Sequence, residues 1–305
     1  MLRSGDIRSP LRTVLGRPGG RAVVLGRQEP VVIIGEKINP TGKQQFAEEL
    51  RRGDLSSVRR WAAEQTAAGA GVIDINVGTD GVNEVELLPA AVQAAMECTD
   101  LPLSLDSGNV KAVEAALAVC TGKVIVNSTT GERQALETIL PLAMRHGAAV
   151  IGLCYDEEGI SSEPRRRLQV AEKIVDRAVA FGIPLADVIL DPLALPVSTD
   201  TRAAAVTLET ARLIREHLGT NLTLGVSNTS FGLPDRAALN LSMLVMAIAM
   251  GVNCPIVDPT RPEVIKAVLA CDLLAGRDEM AARWLQHFRS RAGDATDRKR
   301  PQNGC

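Results

Sequence analysis

The sequence predicts a single (β/α)8 TIM barrel of the α/β class, preceded by a short N-terminal hairpin or arm. Two observations support this prediction. After residue 30, apolar runs of strand length alternate with longer segments of helical period, and eight such pairs follow one another. Apolar residues make up 46% of the chain and aromatic residues only 2%, which indicates an aliphatic interior typical of parallel sheets covered by helices. A chain of 305 residues accommodates one barrel of ~250 residues with additions at its ends.

The sequence divides into three predicted parts, which are an N-terminal extension over residues 1–30, the barrel over residues 31–288 and a polar C-terminal tail over residues 289–305. In the extension, the apolar runs 13–15 and 22–25 flank the turn-forming segment Arg17-Pro18-Gly19-Gly20, which predicts a β-hairpin. A disordered arm is the alternative. The tail is polar, and we expect it to be frayed.

The barrel part repeats one strand and one helix eight times. We predict strands over residues 31–36, 71–76, 102–107, 123–128, 148–154, 187–192, 222–226 and 254–259. Six helices lie near residues 54–69, 83–98, 132–146, 201–218, 237–250 and 262–276, and two more have apolar faces with Val110, Val113 and Leu117 and with Val170, Ile174, Ala178 and Val179. Because successive parallel strands are joined by right-handed crossovers, a closed barrel is the economical architecture. An open doubly wound sheet is the alternative, although no GxGxxG motif follows the first strand.

Charge and hydropathy exclude two classes of partner. The net charge is −2 and no basic face is evident apart from the tails, so we do not expect the protein to bind nucleic acid. The longest apolar run, residues 241–257, is split by Gly251, Asn253 and Pro255 into a buried helix and a strand. It is shorter than a membrane-spanning helix of ~20 residues, and no signal peptide is evident at the N-terminus.

The six cysteines stand far apart and form no CxxC motif. Most of them fall inside apolar helix or strand patterns; they are Cys98, Cys120, Cys154, Cys254, Cys271 and Cys305. This usage is typical of reduced structural thiols. We therefore expect a cytoplasmic protein without a zinc-finger site.

Seven of the eight predicted strands end in an acidic or amide side chain. These side chains are Glu36, Asp74 with Asn76, Asp106, Asn127, Asp191, Asn228 and Asp258. In a barrel the carboxyl ends of all strands meet at one mouth, where chemistry is located. Taken singly, each residue could be a helix cap or a turn. Gathered at one mouth, however, the carboxylates repel each other and lose hydration unless a ligand compensates, so the ring predicts a ligand site.

Two kinds of ligand suit this ring. Carboxylate and amide oxygens could hold Mg²⁺ or Ca²⁺, whereas the three histidines fall on predicted helices and make a catalytic zinc site improbable. The other candidate is a neutral heterocycle rich in N–H donors, such as a pterin, because a carboxylate accepts two parallel N–H groups at once. A sugar phosphate fits worse, since the last strand ends in Asp258-Pro259-Thr260, where a phosphate would require glycine amides.

An ordered set of motifs resembles the pterin-binding methyltransferases, which include methyltetrahydrofolate:corrinoid protein methyltransferases and the folate module of cobalamin-dependent methionine synthase. The motifs are GEKINPTGK (35–43), DINVG (74–78), LDS (105–107), VNS (126–128), DP (191–192), GVSNTSFGLPDR (225–236) and IVDP (256–259). The resemblance spans about residues 31–277. Its most specific part is the SN-x-SF turn. One departure is Lys37, where an arginine is common.

The resemblance implies roles for individual residues. Asp106, Asn127 and Asp191 would bind the pterin ring, Arg236 would lie on the folate side, and Asn228 would lie near N5 of the pterin. The complete expected cofactor-binding set is Glu36, Asp74, Asn76, Asp106, Asn127, Asp191, Ser227, Asn228 and Arg236. The expected catalytic residues are Asn228, Asp106 and Asp191, and no metal ligand is expected.

The resemblance also implies a reaction. The N5 methyl group of 5-methyltetrahydrofolate would move to the Co(I) of a corrinoid, or the reverse, leaving or consuming tetrahydrofolate. The protein must make N5 a better leaving group, and hydrogen-bond donation from an amide such as Asn228 would strengthen as charge develops. An amide is not an acid, so the proton comes from solvent or from a nearby carboxyl group.

No DxHxxG corrinoid-binding motif is present. The corrinoid should therefore be carried by a partner protein, and the family resemblance implies a homodimer.

Two alternatives remain. A dihydropteroate synthase-like enzyme would have an NVTPDSF-type loop early and a Ser-Arg-Lys segment after the seventh strand. Here those places hold GEKINPTGK and Ser227-Asn228-Thr229. The second alternative is a non-catalytic subunit that binds a pterin and presents it to a partner enzyme. The sequence contains no homocysteine module, so we do not expect a full methionine synthase.

Overall fold

The computed structural model describes residues 11–297, with side chains described as far as residue 289. It begins with an antiparallel hairpin of β1 (Arg12–Leu15) and β2 (Val23–Gly26), which confirms the hairpin prediction over the disordered arm. The buried side chains of this hairpin pack against the first residues of several barrel strands in one apolar cluster. The hairpin therefore closes the amino-terminal end of the barrel.

Eight parallel strands follow, and they form one sheet. In chain order they are β3 (Ile34–Ile38), β4 (Val72–Ile75), β5 (Leu103–Asp106), β6 (Ile125–Thr130), β7 (Ala149–Leu153), β8 (Val188–Asp191), β9 (Asn221–Leu222) and β10 (Ile256–Val257). The strand order is β10-β3-β4-β5-β6-β7-β8-β9. A backbone bridge between Gly225 and Ile256 joins the two ends, and the Ile256 N–H donates to Leu224 O at 2.9 Å. The TIM-barrel class is thus confirmed, and the doubly wound sheet is excluded.

Ten helices are described. They are α1 (Gln44–Arg51), α2 (Ser56–Ala68), α3 (Glu84–Met96), α4 (Val110–Val119), α5 (Arg133–Arg145), α6 (Pro164–Ala180), α7 (Ala203–His217), α8 (Arg236–Met250), α9 (Pro262–Leu274) and α10 (Ala282–Asp297). Local sequence explains their ends. Asn109 begins α4 by accepting a hydrogen bond from the Lys111 N–H at 3.1 Å, and Gly251 ends α8 in the left-handed conformation that only glycine adopts without strain.

Three helical features differ from the sequence prediction. The short helix α1, anchored by buried Phe46 and Leu50, was not predicted between the first strand and α2. Helix α10 continues to Asp297, into the segment predicted as a frayed tail, so that segment is helical as far as the described residues extend. Val179 was placed on the inner face of α6 but is 42% exposed. Ala178 is buried, whereas Val179, the next-to-last residue of the helix, faces solvent. The three-part domain division itself remains a prediction.

The described residues also bear on two class-level expectations. Between residues 11 and 297, no helix is long and apolar enough to cross a membrane. The apolar run 241–257 divides at Gly251, as predicted, into the end of α8 and strand β10. The cysteines within the described range are all free thiols, and Cys305 lies outside that range.

Candidate functional site

The polar ends of β4, β5 and β6 lie together in one hydrogen-bonded network at the carboxyl end of the barrel. The Asn127 amide donates to Asp74 Oδ1 at 3.1 Å, and the Asn76 amide donates to Asp106 Oδ2 at 2.9 Å. Asp74 is buried at 3% exposure, whereas Asp106 is only partly buried. Asp106 is therefore the carboxyl group of this pair that a ligand in the mouth can reach.

Both carboxyl groups of this network hold protons more readily than free aspartate. Burial is the main cause that raises the pKa of Asp74 well above its usual value, and the charge of Asp106 raises it further. Burial likewise raises the pKa of Asp106, although the hydrogen bond from Asn76 opposes the shift. Amide N–H donors and carboxyl acceptors thus alternate at this side of the mouth. Such a surface matches a neutral heterocycle with mixed donors and acceptors.

Asp191, at the end of β8, is buried beside the turn that follows it. The Leu193 N–H donates to Asp191 Oδ1 at 2.7 Å. Burial raises the pKa of Asp191 to about 6, and the backbone hydrogen bonds from Leu193 and Gly225, together with the nearby positive charge of Arg167, limit the shift. Because Gly225 follows β9, this contact links the ends of the sixth and seventh barrel strands.

Arg167 is a neighbour of Asp191 that was not predicted from the sequence. Its side chain is only 1% exposed. The guanidinium donates to the backbone carbonyls of Pro192 at 2.7 Å and Leu193 at 2.9 Å, and to that of Ser161 at 2.7 Å. Arg167 therefore holds the loop after Asp191 in place. It belongs to the run Arg165–Arg167 at the start of α6, and sequence alone does not tell which arginine of such a run turns inward.

At the end of β3, Glu36 accepts a hydrogen bond from Ser227 Oγ at 3.1 Å. Burial raises the pKa of Glu36 to about 7, and the negative charge of Asp258 adds to this shift. The hydrogen bond from Ser227 and the positive charges of Lys43 and Arg236 oppose it. Glu36, Asp258 and Lys43 thus lie close enough to interact electrostatically at the mouth.

Lys43 was not singled out from the sequence, although it closes the GEKINPTGK motif. Its ammonium group donates to the carbonyls of Asn39 at 2.9 Å and Lys37 at 3.2 Å. The side chain of Lys37, in contrast, pairs with Glu64 of α2 at 2.8 Å. The departure from arginine at position 37 therefore falls on a side chain that pairs with helix α2.

Strand β9 ends at Leu222 and is shorter than the predicted strand over residues 222–226. The turn around Asn228 is a 3₁₀ helix over Val226–Ser230. Asn228 is exposed, and its side-chain amide has no hydrogen-bond partner within the described part of the chain. Its Nδ2 lies over Gly225, where a Cβ atom would come within 3.1 Å of it. The Asn228 amide is therefore a donor left free at the mouth.

Arg236, the first residue of α8, is tied to the same turn. Its guanidinium donates to Ser227 O at 2.9 Å and to Ser230 Oγ at 3.0 Å. All nine residues of the predicted cofactor-binding set thus lie at or beside the carboxyl ends of the strands.

The described residues include no group of three or more histidine, cysteine, aspartate or glutamate side chains arranged to hold a metal ion. The histidines lie outside the polar ring. His146 follows the last residue of α5, His217 ends α7 and His287 lies in α10.

The sequence is similar to a family of pterin binding enzymes, to a methyltransferase and to a methionine synthase. Residues 35–258, more than half of the chain, match the family model for pterin binding enzymes. A methylcorrinoid:tetrahydrofolate methyltransferase from Eubacterium limosum is 28% identical over 265 residues, covering 85% of this chain and 96% of that protein. A methionine synthase from Mycobacterium tuberculosis is 28% identical over 276 residues, but the match covers only 23% of its length.

Solved structures show similarity of fold. A Yersinia pestis dihydropteroate synthase with a pterine-sulfa conjugate has a TM-score of 0.65 at 18% identity, covering 87% of this chain and 100% of that chain. A dihydropteroate synthetase with a product has a TM-score of 0.63 at 20% identity, covering 87% of this chain and 100% of that one. At this level of identity the likeness concerns the barrel alone.

Proposed function

Because the chain belongs to the pterin-binding enzyme family, we propose that it moves the N5 methyl group between 5-methyltetrahydrofolate and the cobalt of a corrinoid carried by a partner protein. The similarity to a methylcorrinoid:tetrahydrofolate methyltransferase over nearly the whole of that relative supports this reaction. The single observation that carries the proposal is the free amide of Asn228, which lies over Gly225, whose backbone N–H bonds Asp191, at the mouth that also holds Asp106 and Asn127.

The pterin ring fits the polar network by donor and acceptor type. Its amino-pyrimidinone edge presents parallel N–H donors, which the partly buried Asp106 carboxylate and the buried Asp191 carboxylate accept. The Asn127 amide supplies a mixed donor and acceptor next to them. Burial has removed water from these carboxyl groups and raised their pKa values. The N–H donors of a bound pterin would replace that lost hydration.

Methyl transfer requires that N5 keep the electron pair of the breaking N–CH₃ bond. The methyl carbon forms its new bond with an electron pair supplied by Co(I), and N5 takes up a proton to become a neutral amine. Asn228 donates to N5 and stabilises it as that electron pair develops, and Gly225, without a side chain, leaves the space that the amide occupies. In the reverse direction the N5 electron pair forms the bond to the methyl carbon and N5 releases its proton, and the same contact stabilises the same transition state.

A proton for N5 is available within the site. Glu36, with its pKa raised to about 7 by burial, holds a proton in a large fraction of molecules at neutral pH. Its hydrogen bond with Ser227 connects it to the residue next to Asn228. We therefore assign Glu36 as the carboxyl group that stores this proton. The alternative source, solvent, predicts no effect of Glu36 on the pH dependence of the reaction.

We also propose a homodimer formed through α8. From residue 237 to residue 250 this helix has no charged side chain, yet Leu239, Val245 and Met246 are exposed. A groove of about 1060 Å³ lies beside it, with Val245, Ala249 and Leu274 among its apolar walls. Val245 belongs both to the exposed apolar side chains and to the groove wall, which also contains Arg27, Arg215 and Arg277. We infer that the apolar part of this surface is a self-complementary interface between two copies.

Light scattering tests the dimer directly. We expect a dimer for the wild type and a monomer for Met246→Glu, because a charge at the centre of an apolar interface loses its hydration. The matched control is Met144→Glu, since Met144 is similarly exposed, at 43% against 50%, but lies on α5. A monomeric wild type, or a dimer that tolerates Met246→Glu, would contradict the proposal.

The reaction is tested with the protein, methyltetrahydrofolate and free cob(I)alamin. Methyl transfer to cobalt would support the enzyme, whereas calorimetric binding of methyltetrahydrofolate without transfer would favour the non-catalytic pterin-binding subunit. A parallel dihydropteroate synthase assay tests the remaining alternative. We expect binding and transfer, and no dihydropteroate formation.

A further inference from the structure

An aromatic side chain projects from the rim of the barrel mouth. Phe231 is 61% exposed, although it belongs to the short rim loop of residues 231–234 between the 3₁₀ helix of Asn228 and α8. Most large apolar side chains of this protein are buried. Single exposed apolar side chains are common on protein surfaces, but Phe231 lies only three residues after Asn228, at the rim of the mouth.

The rim loop is held in place by contacts with the loop that follows β8. The Ser198 hydroxyl donates to Phe231 O at 2.8 Å, and the Val197 N–H donates to Thr229 O at 3.0 Å. Gly232 has φ +80 and lies against Ser198, where a Cβ atom would come within 3.3 Å of Ser198 Oγ. The loops after two neighbouring strands are thereby joined, so Phe231 is exposed from a structured loop.

A positive charge stands beside the ring. The Arg236 guanidinium lies 5.7 Å from the centroid of Phe231, within the range of a cation–π contact. The same guanidinium is fixed by its hydrogen bonds to Ser227 and Ser230. The rim therefore presents a flat apolar surface next to a hydrogen-bond donor, three residues along the chain from Asn228.

We propose that Phe231 is the docking contact for the corrin ring carried by the partner protein. The inference rests on the proposed function, because that reaction brings cobalt to within ~3 to 3.5 Å of the methyl carbon at the start of transfer. A corrin is a broad, flat macrocycle with amide groups at its edge. When its cobalt faces N5 near Asn228, its plane extends over the rim, where Phe231 packs on the ring.

The test separates the corrinoid from the folate. For Phe231→Ala we expect the KM for cob(I)alamin to rise about 10-fold, the scale of truncating an aromatic anchor, with the Kd for methyltetrahydrofolate and the melting temperature unchanged. Phe231→Trp, which keeps a flat aromatic surface, should restore most of the affinity for cob(I)alamin. The matched control is Phe288→Ala, because Phe288 is also exposed, at 41%, but packs near Trp284 on α10.

Each other outcome overturns the inference in a recognisable way. An unchanged KM for cob(I)alamin in Phe231→Ala would show that the ring does not contact the corrin. A raised Kd for methyltetrahydrofolate would assign Phe231 to the folate instead. An equal effect of Phe288→Ala would point to a general loss of stability. A wild type that binds methyltetrahydrofolate but transfers no methyl group would overturn the proposed function and, with it, this contact.

Discussion

The Ser227 hydroxyl donates to Glu36 at 3.1 Å, and this bond joins the first barrel strand to the turn of the seventh. It stabilises Glu36 only in part, because the pKa of that carboxyl group is raised to about 7, mainly by burial. A buried acid with a raised pKa lowers stability wherever it is ionised. The site therefore contains a group whose cost to the fold depends on pH.

The sign of that dependence follows from proton linkage. Between the ordinary pKa of 4.5 and the folded value of about 7, the folded protein binds a proton that the unfolded chain has lost, so stability falls as pH rises through this window. We expect Glu36→Gln to raise the melting temperature by about 2 to 4 °C at pH 8 and by much less at pH 5. Scanning calorimetry of both proteins at the two pH values checks this. A gain that is equal at both values would show that Glu36 is ionised throughout.

The methyl-transfer rate gives a second pH test. If Glu36 stores the proton for N5, the wild-type rate should fall as pH rises through about 7, and Glu36→Gln should lose this limb of the profile. Ser227→Ala should keep the limb but shift it to higher pH, because the hydrogen bond from Ser227 lowers the pKa of Glu36. An identical profile for the wild type and Glu36→Gln would assign the proton to solvent.

Asp106 is predicted to accept N–H donors from the pterin. Replacing it with alanine should weaken binding of methyltetrahydrofolate by about 1 to 3 kcal/mol, the cost of leaving ligand donors unpaired. Calorimetric titration measures the change. The control is Asp100→Ala, since Asp100 is exposed before β5, at the amino end of the barrel, and pairs with exposed Arg21. Equal affinity for Asp106→Ala and the wild type would remove Asp106 from the pterin site.

Gly225 provides a geometric test of Asn228. A Cβ atom at position 225 would lie 3.1 Å from Asn228 Nδ2, so Gly225→Ala should displace the amide and slow methyl transfer. The backbone tolerates alanine, because φ at Gly225 is −73. The double variant Gly225→Ala with Asn228→Ala should transfer the methyl group about as slowly as Asn228→Ala alone, as expected for two residues acting through one contact. Fully additive losses in rate would mean that Gly225 acts independently of Asn228.

The sequence analysis predicted the positions of the polar ring because parallel strands in a barrel must end on the same side. The length and spacing of the apolar runs were enough to predict the positions of Asp74, Asp106 and Asp191, because each of them ends or lies within a short apolar strand. The hydrogen-bond pairing did not follow, since Asn127 bonds Asp74 across β5 and no spacing rule specifies such a partner. Arg167 was missed because its burial depends on the path of a distant loop.

Asn228 carries the central claim, namely that this protein activates N5 for methyl transfer. Its amide makes no hydrogen bond within the described residues, so Asn228→Ala should leave the melting temperature unchanged. The most direct measurement is the single-turnover rate of this variant with saturating methyltetrahydrofolate and cob(I)alamin. We predict a loss of about 10² or more, the scale of removing one preorganised donor, with a smaller change in folate affinity. A normal rate in the folded variant would contradict the account.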